Sequence, residues 1–307
     1  MKQRLFYGIT AVSAVAGLCL SLCLTPALAQ GSAPVAENLE ITTYRGVSVD
    51  GELAAVDPDG DVLTFLITTP PTKGTVEVDE TGKFVYTPAE GRRGKDYFGY
   101  VAQDPEGNRS QEATVIIKIT KPKTDVIYSD MSGHGAYYDA MKLAEQGIFT
   151  GQQIGETFVF SPNASVTRGE FLAMCMELSG GRILSGVTST GFSDDAQIPA
   201  WQKPYVATAL MNGAISGYGG SGSGSAAFSA QSPITCTEAA VMLNSILRVT
   251  DVSSFDANPG TPVWAGQAVA NLNACRALPT GFVSDASLTR AQAAQMLSAA
   301  LTIAENR

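Results

Sequence analysis

A threefold repeat is the feature of this sequence that most limits its fold. The segment SVTRGEFLAMCMEL at 165–178 recurs as PITCTEAAVMLNSI at 233–246 and as SLTRAQAAQMLSAA at 287–300. In each copy an apolar residue precedes a threonine, and Glu or Gln follows the threonine three positions later. This spacing predicts a helix that begins with a capping box. The predicted N-caps are Thr167, Thr235 and Thr289, and their N3 partners are Glu170, Glu238 and Gln292.

A second helix-like stretch with an aromatic residue precedes each capped segment. The stretches HGAYYDAMKLAEQG, AWQKPYVATALMNG and VWAGQAVANLNACR align without gaps at 134–147, 200–213 and 263–276. The loops that follow them differ in length, as is usual between repeats. The sequence therefore predicts three helix–loop–helix units, at 128–180, 192–249 and 255–303.

The preceding part of the chain has a strand and turn pattern. Between Glu37 and Thr120, runs such as VLTFLIT, KFVYT and ATVIIKIT are rich in β-branched and aromatic residues, and DPDGD, DETG and DPEGN separate them. Strands at this spacing predict an antiparallel all-β sandwich of immunoglobulin size at 35–120. The segment KPKTD then marks a linker at 121–127.

The first residues predict export. Lys2 and Arg4 precede an apolar run, and an Ala-Leu-Ala sequence ends at Ala29, which is typical of a cleaved signal peptide at 1–29. An uncleaved membrane anchor is the alternative; no later segment is apolar enough to span a membrane. With 307 residues, 45% of them hydrophobic, the rest is expected to be globular. The net charge of −9 argues against nucleic acid as a partner.

Three cysteines follow the signal peptide: Cys175, Cys236 and Cys275. Their odd number and their spacing fit neither a disulfide framework nor a zinc site. We expect buried thiols in helices, and one unassigned bridge remains the alternative.

The strand-rich part resembles the bacterial immunoglobulin-like or cadherin-like modules of surface proteins, through its DGD, G-x-F-x-Y-x-P and G-x-D-x-F-x-Y sequences. The resemblance implies a spacer or adhesive unit. Clustered carboxylates favour hard cations, so a calcium site is one interpretation, and ordinary turn chemistry is the other. The carboxylates in question are Asp57, Asp59, Asp61 and Asp104.

The repeats resemble S-layer homology domains, whose units read as F-x-D, then H-W-A, then a glycine, then T-R-A-E. The resemblance implies an all-α three-repeat helical bundle. It also implies a secreted protein held non-covalently to secondary cell-wall polysaccharide, often through a pyruvylated and therefore anionic sugar. We accordingly expect a location at the cell wall or S-layer.

An arginine stands at the first helical position of two repeats, where the helix dipole disfavours a cation. Beside the free backbone N–H groups expected at the start of a helix, Arg168 and Arg290 would suit a carboxylate ligand. The alternative is that they pair with acids of a neighbouring repeat. Trp201 and Trp264 are either core residues or platforms for a sugar ring. The resemblance implies glycan binding by Arg168, Arg290, Trp201, Trp264, Tyr137, Thr167 and Thr289.

The repeats also depart from the family pattern. Cys236 replaces the arginine in repeat two, and Gly135 replaces the tryptophan in repeat one. Repeat three has both Trp264 and Arg290, so it is expected to be the most complete. We expect two working pockets at most.

Two rival functions remain. Catalysis is not expected, because His134 is the only histidine and no short motif selects a carboxylate pair. No cofactor other than calcium is implied. The other rival is an adhesin or protein-interaction module whose degenerate repeats no longer bind glycan.

Overall fold

The computed structural model describes residues 31–219, 226–253 and 260–305. The predicted signal peptide at 1–29 lies outside these residues. The described chain has an N-terminal β-sandwich, here called the β-domain, and a C-terminal region that begins near Val126.

The predicted β-sandwich is confirmed. One sheet has the strand order β2-β9-β8-β5, and the other has the order β3-β7-β6, while β1 and β4 form a short separate pair. Buried and half-buried residues alternate along β7 and β9, as expected for strands with one face on the core. The strands are β1 (Val35–Ala36), β2 (Leu39–Tyr44), β3 (Val49–Glu52), β4 (Ala55–Val56), β5 (Thr64–Thr69), β6 (Gly74–Val78), β7 (Lys83–Pro88), β8 (Gly94–Gln103) and β9 (Ala113–Thr120).

One strand pair departs from the predicted antiparallel pattern. The first long strand, β2, pairs in parallel with the last, β9, from Leu39 opposite Val115 to Tyr44 opposite Thr120. A parallel pair needs a long connection, and here nearly the whole domain supplies it. Strand sequence alone does not fix this direction, because both ends of the domain carry the same β-branched pattern.

The prediction of an all-α C-terminal bundle is wrong, because this region mixes strands with helices. A hairpin pairs β10 (Gln152–Ile154) with β11 (Thr157–Val159), and Gly155, at φ 63°, begins its two-residue turn. The sequence TFV has the β-branched and aromatic character of a strand. The described residues contain six α-helices: α1 (Tyr137–Glu145), α2 (Arg168–Leu178), α3 (Lys203–Met211), α4 (Cys236–Leu247), α5 (Gly266–Ala274) and α6 (Arg290–Glu305).

Three residues that precede the capped helices join the repeats in a closed cycle. The backbone N–H of Val166 donates to the carbonyl of Leu288 at 3.0 Å, Leu288 donates to Ile234 at 2.8 Å, and Ile234 donates to Val166 at 3.0 Å. All three side chains are buried in one core. The cycle places the three capped helices around a common centre.

Each capped helix packs against the first helix of the next unit. Helix α2 contacts α3, α4 contacts α5, and α6 contacts α1. We call these contacts the first, second and third junctions. A junction therefore combines residues from two different repeats.

The β-domain is packed onto repeats one and three. Tyr44 stacks on Tyr138 with ring centroids 5.1 Å apart, and its hydroxyl donates to Glu145 at 2.8 Å. Tyr44 and Val47 are part of the core of the C-terminal region. The two parts are therefore joined by a packed interface and not by the linker alone.

A cleft of about 1300 Å³ opens beside this interface. Two of the carboxylates that line it come from different domains: Asp50 from β3 and Asp139 from α1. Burial, followed by the charge of Asp50, raises the pKa of Asp139 to about 8, although a hydrogen bond with Ser298 and the charge of Lys142 act in the opposite direction. The folded protein therefore favours a protonated Asp139.

Replacement of Ile234 tests the central cycle. Ile234→Ala removes fully buried methyl groups at the centre of three repeats, and we expect a loss of about 2 to 5 kcal/mol in the free energy of unfolding. Urea unfolding followed by helical circular dichroism measures this loss. Ile154→Ala, at an exposed position of the hairpin, is the control and should cost less than about 0.5 kcal/mol. Equal losses in the two variants would contradict the central role of Ile234.

Replacement of Asp139 tests the acid pair. A carboxyl whose pKa is raised on folding binds more protons in the folded state, so its contribution to stability falls as the pH rises from about 4 to about 8. Asp139→Asn should remove that slope, and the stability of the variant relative to the native chain should increase across this range. Denaturation midpoints at several pH values measure it. Asp285→Asn, at an exposed position lining the same cleft, should leave the slope unchanged. A parallel pH dependence in Asp139→Asn and the native chain would refute this account.

Candidate functional site

The predicted capping boxes are confirmed at the start of all three capped helices. Thr167 and Glu170 exchange the two expected bonds at α2, and Thr235 and Glu238 do so at α4. At α6, the N–H of Gln292 donates to the Thr289 hydroxyl at 3.2 Å, and the N–H of Thr289 donates to the Gln292 side chain at 3.1 Å. The threonines thus fix the first turn of each helix.

The next N–H groups are not free, contrary to the sequence-based expectation. In α2, Arg168 N donates to Ser232 O and Gly169 N donates to Ala230 O, both at 2.9 Å. The first two N–H groups of α4 donate in the same way to a loop of repeat three, and those of α6 donate to a loop of repeat one. With the third N–H held by the cap, the first three helical N–H groups of each helix already have protein acceptors. A ligand at these junctions must therefore be recognised by side chains.

An aspartate holds the loop that supplies these acceptors, a role that sequence analysis missed. The Asp194 carboxylate accepts from Phe228 N at 2.8 Å and from Ser229 N at 2.7 Å, and Asp130 accepts from Phe160 N and Ser161 N in repeat one. Ser229 and Ser161 have positive φ, so the loop turns sharply at both positions. The recurrence of an aspartate in YSD and FSD is the sequence signal that could have shown this role.

Arg168 lies between two aromatic rings of repeat two. Its guanidinium carbon is 4.6 Å from the ring centroid of Tyr218 and 5.3 Å from that of Phe228. The side chain is only 8% exposed, and Nη2 donates to Ser216 O at 3.4 Å. Nε is buried and has no hydrogen-bond partner among the described residues. Stacking of this kind contributes about 0.5 to 2 kcal/mol, which offsets only part of the cost of burying a charge.

Among the described residues, no carboxylate forms an ion pair with this guanidinium. Within the part of the chain that the structure describes, the ion pairs are Lys118–Glu40 and Lys203–Asp195. Neither Arg168 nor Arg290 therefore pairs with an acid of a neighbouring repeat, which was the alternative interpretation. A buried cation without an anionic partner is costly, typically by several kcal/mol.

An acid of repeat two, Glu238, bonds to Tyr218. The Tyr218 hydroxyl donates to Glu238, and burial together with this bond raises the pKa of Tyr218 to about 12. The phenol thus stays protonated at neutral pH, and its hydroxyl donates a hydrogen bond to the Glu238 carboxylate. Tyr218 is itself 43% exposed, so part of its ring surface is open to solvent at this junction.

Trp201 lies at the same junction. It is 57% exposed and packs edge-on against Tyr205, with centroids 6.5 Å apart. The next residue, Gln202, is fully buried, and its amide fills the space beside Gly169 that a Cβ would need. Its Oε1 has no hydrogen-bond partner among the described residues. The first junction therefore combines the Trp201 indole of repeat two with the Arg168 cation of repeat one.

Arg290 has a similar place at the third junction. Nη1 donates to Phe160 O at 3.0 Å, and the guanidinium carbon is 5.2 Å from the Phe149 ring centroid. Phe149 and Phe160 were not predicted as site residues. Phe160 has the position equivalent to that of Phe228, because Asp130 accepts from its N–H as Asp194 accepts from that of Phe228.

The structure corrects the predicted pairing of site residues. Repeat three carries both Trp264 and Arg290, but they belong to different junctions. Trp264, 63% exposed, lies in the short helical turn that contacts α4, so its junction is the second, where Cys236 stands. Only the first junction combines an arginine with a tryptophan.

Tyr137 and Cys275 have other surroundings than those predicted for them. Tyr137 is buried and packs against Tyr128 with centroids 6.1 Å apart, so it presents no ring face to a ligand. The three cysteines are free thiols, as expected. Cys175 and Cys236 are buried in helices, whereas Cys275 is exposed at the end of α5.

The acids considered for calcium take part in turns. Asp57 Oδ1 accepts from the backbone N–H of Asp59 at 2.8 Å, and Asp104 accepts from Asn108 N at 2.7 Å. Among the described residues, no group of three or more His, Cys, Asp or Glu side chains is arranged to hold a metal ion. The backbone N–H of Asp61 also donates to Asp57 Oδ1, at 3.4 Å. These local hydrogen bonds are those expected if the acids serve as ordinary turn residues.

Replacement of Arg168 tests whether the buried charge supports the fold. Arg168→Met keeps the apolar contacts with Phe228 and removes the unpaired charge, so we expect the free energy of unfolding to stay within about 1 kcal/mol or to rise. Chemical denaturation measures this, with exposed Arg182→Met as the control. A loss greater than about 2 kcal/mol specific to Arg168→Met would show that the arginine is structural.

The family comparisons agree with this architecture. The model for the bacterial cadherin-like domain matches residues 31–121, and the model for the S-layer homology domain matches residues 127–172 and 191–235. These ranges cover the β-domain and parts of repeats one and two. Both families are domains of surface proteins and not enzyme families.

One curated relative is a surface protein. The chain is 29% identical over 169 residues to the Surface-layer 125 kDa protein of Lysinibacillus sphaericus, which covers 50% of this chain and 14% of the relative. The chain thus matches only a small part of that protein's length.

Solved structures show only weak overall similarity. An endo-fucoidan hydrolase of glycoside hydrolase family 107 is 21% identical, with coverage of 31% of this chain and 14% of the hydrolase and a TM-score of 0.25. A mutant of the SrpA adhesin from Streptococcus sanguinis is 16% identical, with coverage of 32% and 64% and a TM-score of 0.24. At such scores the similarities support no conclusion about function.

The location follows from the domain families. No helix within the described ranges has both the length and the apolar character needed to cross a bilayer. S-layer homology domains and the similarity to a surface-layer protein indicate a cell-surface, S-layer location. The chain is therefore a surface protein in which a bacterial cadherin-like domain precedes S-layer homology domains.

Proposed function

We propose that the C-terminal region anchors the chain to an anionic cell-wall polysaccharide and displays the cadherin-like domain as a spacer or adhesive unit. The single observation that supports this most strongly is the Arg168 guanidinium, buried between Tyr218 and Phe228 without a carboxylate partner. A ligand carboxylate would supply the missing anion. Bidentate bonding to a carboxylate is the geometry for which a guanidinium is suited.

The first junction offers both parts of a saccharide site. Trp201 and Tyr218 present exposed aromatic surface, on which the apolar face of a sugar ring can stack. Arg168 supplies the charge. The first three helical N–H groups already have acceptors, so the selectivity for an acidic sugar rests on this arginine. A pyruvylated terminal sugar carries a carboxylate of the required kind.

The other two junctions are weaker candidates. At the second, Cys236 stands in place of the arginine and Gln292 in place of an acid, so this junction lacks the counterpart of Arg168. At the third, Arg290 is present, but Gly135 provides no ring. We therefore assign the main binding contribution to Arg168 and Trp201.

Sedimentation with purified cell-wall sacculi tests the proposal. Arg168→Ala should weaken binding by about tenfold or more, which corresponds to the loss of a charge-assisted contact of about 1.4 kcal/mol or more. Arg182→Ala, which removes an exposed arginine between repeats one and two, should bind as the native chain does.

Two further arms identify the ligand. Mild acid treatment of the sacculi removes the polysaccharide and should abolish binding of the native chain. Retention on stripped peptidoglycan, or an unchanged bound fraction of Arg168→Ala, would refute the proposal and favour a protein or peptidoglycan partner.

A further inference from the structure

The three repeats differ at the position two residues before the first helix of each. Repeats two and three have Trp201 and Trp264 there, and both side chains are largely exposed. Repeat one has Gly135 at the equivalent position. This glycine has no positive φ, so the backbone conformation does not require it.

The space around Gly135 explains the glycine. Its carbonyl accepts from the N–H of Asp50 in β3 at 3.2 Å. A Cβ on Gly135 would lie 3.1 Å from Asp50 Cβ and 3.5 Å from Val85 Cγ2. The cadherin-like domain therefore occupies the place where the other repeats expose an indole, and a large side chain at 135 cannot coexist with that packing.

The same strand also contacts repeat three. Asp50 Oδ2 accepts from Gln295 Nε2 at 2.6 Å and from Thr280 Oγ1 at 3.1 Å. On the side of repeat one, Tyr138 N donates to Ser48 O at 3.1 Å. The cadherin-like domain is thus bonded to both of the repeats that form the third junction.

We propose that the cadherin-like domain is an intramolecular cap on the third junction, which keeps cell-wall saccharide from Arg290 and leaves the first junction as the anionic site. This proposal rests on the proposed function for its ligand, but the docking itself does not. If the domain is displaced and a ring is placed at 135, the third junction gains the arginine and indole pair that the first junction has.

Trypsin cleavage after Lys123 in the linker measures the docking. Lys123 is exposed, and its N–H donates to Glu145, the acid that also accepts from Tyr44 of the cadherin-like domain. Gly135→Trp should displace the domain and speed this cleavage about tenfold or more, because proteolysis follows the population of the open form. Ser132→Trp places the same ring at an exposed position nearby and should leave the rate unchanged. An unchanged rate in folded Gly135→Trp would overturn the proposal.

Sacculus binding then tests the capped site, in chains that already carry Arg168→Ala. Addition of Gly135→Trp should restore binding at least about fivefold over Arg168→Ala alone, and further addition of Arg290→Ala should remove the gain. Faster cleavage without restored binding would show that the domain docks there but covers no saccharide site, and the cap would be refuted.

A second variant changes the same contact with Gly135 on the side of the cadherin-like domain. Asp50→Arg removes both bonds to repeat three and places a bulky cation against Gly135. If Gly135→Trp does not fold, as judged by circular dichroism, Asp50→Arg should give the faster cleavage, and an unchanged rate would overturn the docking claim.

Undiminished binding by Arg168→Ala alone would instead count against the proposed function, and the cleavage rates would still decide whether the domain docks at this junction.

Discussion

The backbone cycle through Val166, Ile234 and Leu288 is the constraint on which the C-terminal region depends. Each of these residues precedes a capped helix, so the cycle fixes where three helices begin and which loop each one meets. The first two N–H groups of a helix then find acceptors in the loop of another repeat. Because unsatisfied buried N–H groups are costly, this arrangement holds the repeats together as strongly through polar groups as through their shared apolar core.

The same geometry places the candidate site between repeats. A capped helix brings its first residue to the aromatic loop of the next repeat, where Arg168 meets Tyr218 and Phe228, and Arg290 meets Phe149 and Phe160. The tryptophans belong to the first helix of the following unit. A junction therefore has both an arginine and a tryptophan only if one repeat supplies the arginine and the next repeat supplies the tryptophan. Cys236 removes the arginine from the second junction, and Gly135 removes the tryptophan from the third.

The cadherin-like domain is part of this assembly. Tyr44 lies in the core of the C-terminal region, and β3 bonds to repeats one and three through Asp50. A spacer joined only by a linker would have no reason to bury a tyrosine in its neighbour. The glycine at 135 and the acid pair of Asp50 and Asp139 both accompany this packing, since Asp50 of β3 lies against Gly135 and close enough to Asp139 to raise its pKa.

The sequence by itself determined the local features: the β-sandwich, the three capped helices and the positions of the arginines, because turns, strand patterns and capping boxes are set by residues close together in the chain. It did not determine the hairpin at 152–159, the parallel pairing of β2 with β9, or which tryptophan accompanies which arginine. Only the tertiary structure decided the strand direction and the pairing of tryptophan with arginine, since both depend on contacts between residues far apart in sequence. The hairpin is local, but its first strand, QQI, is exposed and largely polar, so it carries little strand signal. Burial of Arg168 without an acid, and occupation of the helix N–H groups by loop carbonyls, likewise arise from how the repeats close on one another.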